Sequence, residues 1–118
     1  MTTKGFLITT AIIEATTGLA LLATPGIVTT LLFGAGPAAP LALVVARVAG
    51  GALLSLGVAC WLSREAAWGP ATRALIAAML LYNGATAAVL VHATLRVGLG
   101  GAALWPAVLV HLAMGLWC

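Results

Sequence analysis

The sequence predicts an all-α fold, a bundle of four transmembrane helices in one domain spanning residues 1–118. Three observations carry this expectation. Lys, Arg, Asp and Glu make up 6% of the 118 residues, against about 25% in a soluble domain. Hydrophobic residues make up 64%, and mean hydropathy is +1.22. Four long apolar runs are separated by Pro, Gly and charged residues. So few charges cannot cover a soluble domain of this size. That excludes a soluble enzyme, a nucleic-acid-binding domain and a disordered chain.

A bilayer core about 30 Å thick needs about 20 apolar residues as helix. The first helix is expected over about 5–24, with Glu14 as its one charge and Pro25-Gly26 as its end. An uncleaved transmembrane helix fits this run better than a signal peptide, whose apolar core is only about 7–15 residues and usually uninterrupted. The second helix is expected over 41–62, with Arg47 as its one charge; the third covers 73–96 after a polar turn; the fourth covers 102–118 after Gly98, Gly100 and Gly101. Between the first two lies the short apolar run Ile27–Phe33. At 1.5 Å per residue it reaches roughly 10 Å, too short to span. It reads either as an interfacial or re-entrant helical turn, or as a plain apolar loop.

Lys4, Arg64 and Arg73 fall on one side of this arrangement and Arg96 on the other. Basic residues favour the cytoplasmic side, so both termini are expected in the cytoplasm, in a bacterial inner membrane. Trp61, Trp68 and Trp117 then mark the inner interface and Trp105 the outer one. Cys60 and Cys118 show no metal spacing and read as small apolar residues without a disulfide. The likeness of Arg47–Leu54 to Arg96–Leu104 reads as chance in a chain rich in Ala, Gly and Leu.

Small residues at helical spacing let transmembrane helices approach closely. Ala46, Gly50, Gly51, Ser55 and Gly57 mark such positions on the second helix, which is expected to be the most buried. Gly18 on the first helix and Gly115 on the fourth are the matching packing positions. Glu14, Asn83 and His111 fall near mid-membrane by residue count, and Arg47 about 10 Å below the outer surface. Tyr82 sits 100° around its helix from Asn83. The expected arrangement is a Glu14–Arg47 ion pair with Asn83 and His111 bonding across helices, or else a ligand or proton site made of the same groups. His92, opposite Asn83 on its helix, is expected outside the cluster. No catalytic set, metal site or cofactor is expected.

The run ARVAGGALLSLGVACWL, with Arg47, Gly50 and Gly51 at its core, the Pro-Gly break after the first helix and the Tyr82-Asn83 pair resemble the DoxX-like group of small bacterial four-helix membrane proteins. That group usually has a basic residue early in the first helix; here only Lys4 precedes it. The resemblance implies an accessory membrane subunit, in some members tied to quinone-linked oxidation. The first functional expectation is therefore a non-catalytic protein that self-assembles or supports a larger membrane complex. Its partners would be the lipid bilayer and either further copies of itself or another membrane protein, with no nucleic acid. The alternative is a binder or transporter of a small hydrophobic or protonatable ligand, such as a quinone.

Overall fold

Three of the chain's prolines open helices, where a missing N–H costs nothing because the first turn has no partner for it. In the computed structural model, which describes residues 2–36 and 39–118, Pro25, Pro40 and Pro70 each start a helix. The elements are α1 (Thr3–Ala23), α2 (Pro25–Phe33), α3 (Pro40–Ser63), α4 (Pro70–Val97) and α5 (Leu104–Trp117). The described residues are 83% helical, with no strand among them. At 21, 24 and 28 residues, α1, α3 and α4 are long and apolar enough to cross a membrane. The apolar α5 has 14 residues, about 21 Å.

The short run after α1 is a helix of nine residues, about 14 Å long. Its last carbonyls have no partner within the helix. The loop before α5 supplies them: Gly100, Gly101 and Ala103 N–H donate to the carbonyls of Phe33, Leu32 and Leu31 at 3.1, 3.0 and 2.9 Å. Gly34 ends α2 in the left-handed region, with φ 78° and its N–H on Thr30 O. A Cβ at Gly34 would collide with Gly100 O, and one at Gly101 with Leu31 O. The glycines that break the sequence thus clasp the end of α2 to the loop before α5.

α1 and α3 form the closest pair, and α4 and α5 the second. A Cβ on Gly18 would lie 2.6 Å from both Gly50 O and Leu54 N, and one on Gly57 2.8 Å from Ala15 N. Gly18, Ala46, Gly50 and Gly57 are all buried. Gly51 and Ser55 are not part of this seam. A Cβ on Gly51 meets nothing within 4 Å, and the exposed Ser55 donates to its own helix at Gly51 O. The expectation that this second long helix is the most buried is also corrected. Within the apolar windows, 39% of α1 is buried, 22% of α4 and 11% of α3. Small residues bring α3 against one neighbour, α1, and leave Val44, Val45 and Val48 outside.

Between the pairs, Phe6, Leu7, Cys60, Met79 and Met114 form one core cluster, and Leu90, Leu104 and Val108 form a second, where Phe33 of α2 packs on α4 and α5. Cys60 and Cys118 are both free thiols. At the start of α1 Lys4 Nζ meets Glu65 Oε1 at 2.7 Å, and Arg64 lies 4.0 Å over the Trp61 ring. The outer surface is apolar in its long stretches, with Leu62, Leu81 and Leu116 each more than 70% exposed. Such a surface suits lipid rather than water.

Candidate functional site

Four of the five expected polar residues meet between the helix pairs. Glu14 is 3% exposed on α1. Tyr82 Oη, from α4, donates to Glu14 Oε2 at 2.9 Å. The Tyr82 ring stands edge-on to His111 of α5, with centroids 5.5 Å apart and planes at 81°. His111 Nδ1 lies 2.8 Å from Asn83 Oδ1, and Asn83 Nδ2 donates to Met79 O at 2.8 Å. Gly115 faces Asn83, but a Cβ on it would make an ordinary contact, 3.7 Å from Asn83 Cβ, so the approach of α5 does not depend on the glycine. The 100° step between successive residues gives Tyr82 and Asn83 different neighbours. Tyr82 turns to α1 and Asn83 to α5.

Arg47 does not join this group, and the expected Glu14–Arg47 pair is absent. Arg47 is exposed, and its Nε donates to Leu22 O at 3.3 Å. Leu22 lies in the last turn of α1, where carbonyls lack helical partners and the helix dipole favours a cation. A long cationic side chain in an apolar medium runs toward the nearer polar end rather than deeper in. Leu22 is eight residues, about 12 Å, beyond Glu14 on α1. The informative signal in the sequence was therefore the last turn of α1, which carries no basic residue of its own. His92 is exposed, apart from the buried group.

Beside the polar chain lies a crevice of about 420 Å³, lined by Leu53 of α3, Tyr82 and Thr86 of α4, and Val110 and His111 of α5, with Val28 and Leu31 of α2 over it. The role of α2 in covering this space had no signal in its sequence beyond its apolar character. A wider groove of about 670 Å³ between α2 and the start of α3 is lined by apolar side chains and the single hydroxyl of Thr29. It gathers no polar groups. Among the described residues no three His, Cys, Asp or Glu side chains converge on a metal position.

No family model, curated protein or solved structure matches the chain. The functional reading therefore rests on the geometry of the crevice. A largely apolar cleft with a few polar groups at one wall is the usual form of a small-molecule site. Such a site excludes water from the molecule's apolar part and fixes its polar end.

Proposed function

We propose that the chain is a four-span integral membrane protein that holds a small, largely apolar molecule between its two helix pairs. The observation that carries this reading is the crevice of about 420 Å³ with Tyr82 and His111 on its wall. The missing Glu14–Arg47 pair adds support. A closed ion pair would have assigned the buried polar residues to packing alone.

In this reading α5 is the fourth span. It is about 9 Å short of a core about 30 Å thick, and α2 with its clasped loop fills the outer layer beside it. The end bearing Lys4, Arg64 and Arg73 faces the cytoplasm of a bacterial inner membrane, by the positive-inside rule. The resemblance to DoxX-like proteins belongs to the same proposal.

Thermal unfolding in mild detergent with rising para-nonylphenol tests the reading. A molecule that binds only the folded state raises the midpoint with concentration. Ala107 also lines the crevice, so Ala107→Phe should fill it and abolish the shift while the protein stays folded. A shift that survives this substitution, and Leu53→Phe as well, places binding elsewhere.

Self-assembly, or attachment to a larger complex, is a second reading. It is supported by the outward face of α3, where Gly51 is open and Val44 and Val48 are exposed. Native mass spectrometry from mild detergent should then show more than one protomer or a protein partner. A monomer in every detergent and lipid tested removes this reading.

A further inference from the structure

His111 is held in one tautomer by a chain of bonds that ends on a backbone carbonyl. Asn83 lies 2.8 Å from Met79 O through one side-chain atom and 2.8 Å from His111 Nδ1 through the other. A carbonyl oxygen only accepts, so the atom facing Met79 is the amide nitrogen and the other is the oxygen. An amide oxygen also only accepts. The proton of a neutral imidazole must then be on Nδ1, which leaves a lone pair on Nε2. The reversed amide would set two oxygens against each other at Met79.

Among the described residues, that lone pair has no partner. The buried side-chain polar atoms without partners, among the described residues, are Thr10 Oγ1, Thr94 Oγ1 and Trp117 Nε1. His111 Nε2 is not one of these, and its ring lines the crevice. It is open to whatever sits there. The Tyr82 proton is committed to Glu14 Oε2. The hydroxyls of Thr17 and Thr86, which also line the crevice, can turn either way and so do not discriminate.

We infer that the crevice selects apolar molecules whose head is a hydrogen-bond donor, a phenol or alcohol rather than an ether, ketone or quinone, and that His111 Nε2 is the accepting atom. This inference rests on the crevice being a ligand site. Asn83 is the positioning residue, acting only through the imidazole.

The test compares para-nonylphenol with its methyl ether, which differ at the head by one donor proton. Midpoint shifts in mild detergent should give the phenol an affinity about tenfold higher, the scale of one neutral hydrogen bond. In His111→Phe the two should bind alike. Nitrogen-15 spectra of the histidine-labelled protein, with His111 assigned through His92→Gln, should show Nε2 without a proton. Those spectra need no change at the site itself. Equal binding of phenol and ether to the unaltered protein overturns the donor-head inference and leaves the crevice as a ligand site. A proton on Nε2 overturns it too. If neither compound shifts the midpoint, the ligand-site reading falls with it.

Discussion

Where α1 meets α3, backbone touches backbone. Gly18 faces Gly50 and Leu54, and Gly57 faces Ala15; the polar side chain that crosses is Arg47, at the edge of the seam, where its Nε reaches Leu22 O. Where α4 meets α5, the contact includes a hydrogen bond between side chains, Asn83 to His111. The first pair gains its attraction from many short van der Waals contacts, each small and collectively large. The second uses one directional contact that also fixes a ring and its tautomer. The difference shows how a chain with so few polar groups divides their use. The tightly packed pair uses Arg47 at one end of its seam, and the other polar groups stand beside the crevice.

The largest expected effect breaks the first pair. In Gly18→Ala the new methyl would sit 2.6 Å from two backbone atoms of α3. Backbone cannot rotate away as a side chain can, so the helices must part. Overpacking of this kind costs about 1–3 kcal/mol. Gly51→Ala is the internal control, since its methyl meets nothing within 4 Å. Removing a helical glycine there should be neutral or stabilising by up to about 1 kcal/mol. Unfolding midpoints in one detergent would compare the two directly, and equal losses would remove the distinction between seam and open face.

The next effect is smaller and concerns the polar contacts. Bonds between side chains in membrane proteins average about 0.6 kcal/mol and reach about 1.7. Double-mutant cycles should therefore give coupling of this size for Asn83 with His111 and for Glu14 with Tyr82. The cycle of Glu14→Gln with Arg47→Met should be additive to within about 0.5 kcal/mol. Each of these two residues has its own partner, Tyr82 Oη and Leu22 O. Strong coupling in that last cycle would restore the ion pair and change the account of the site.

That Arg47 was misplaced marks where the sequence stops being legible. The helices were readable because Pro and Gly punctuate the chain: 5–24, 41–62, 73–96 and 102–118 were expected, against Thr3–Ala23, Pro40–Ser63, Pro70–Val97 and Leu104–Trp117. Level along the bundle was readable too, since residue count along a helix is distance. Glu14, Asn83 and His111 accordingly belong to one buried group. Direction is a different matter. A side chain as long as that of Arg47 can reach up or down by a turn, and counting residues cannot say which. Neighbour identity is also hidden. The spacing of Gly50 and Gly57 reveals that α3 packs closely on something, but a single tight seam and burial on all sides leave the same pattern. The clasp between α2 and the loop at 100–103 uses main-chain atoms alone, so only its glycines were visible.

The smallest expected effect lies at the end of the bundle, where charge rather than packing joins α1 to the turn between α3 and α4. The Lys4–Glu65 contact is 2.7 Å, with the two side chains 55% and 62% exposed. The hydrogen bond from Lys4 holds the Glu65 carboxyl below its ordinary range, helped by the charges of Lys4 and Arg64. A carboxyl whose pKa is lower folded than unfolded adds stability above its unfolded value, and that stability is lost as pH falls through its folded value. The contribution is therefore complete at neutral pH and disappears in acid. Exposed pairs of this kind are weak and screened by salt. Lys4→Gln should slightly lower the midpoint at neutral pH and flatten its decline on acidification. Added salt should reduce the difference between the two proteins. A Lys4→Gln curve that runs parallel to the unaltered protein's from neutral to acid pH would show that the contact contributes nothing to folding. The helix pairs would then be held together by what lies between them, the Phe6–Leu7–Met79 core and the Glu14–Tyr82 bond.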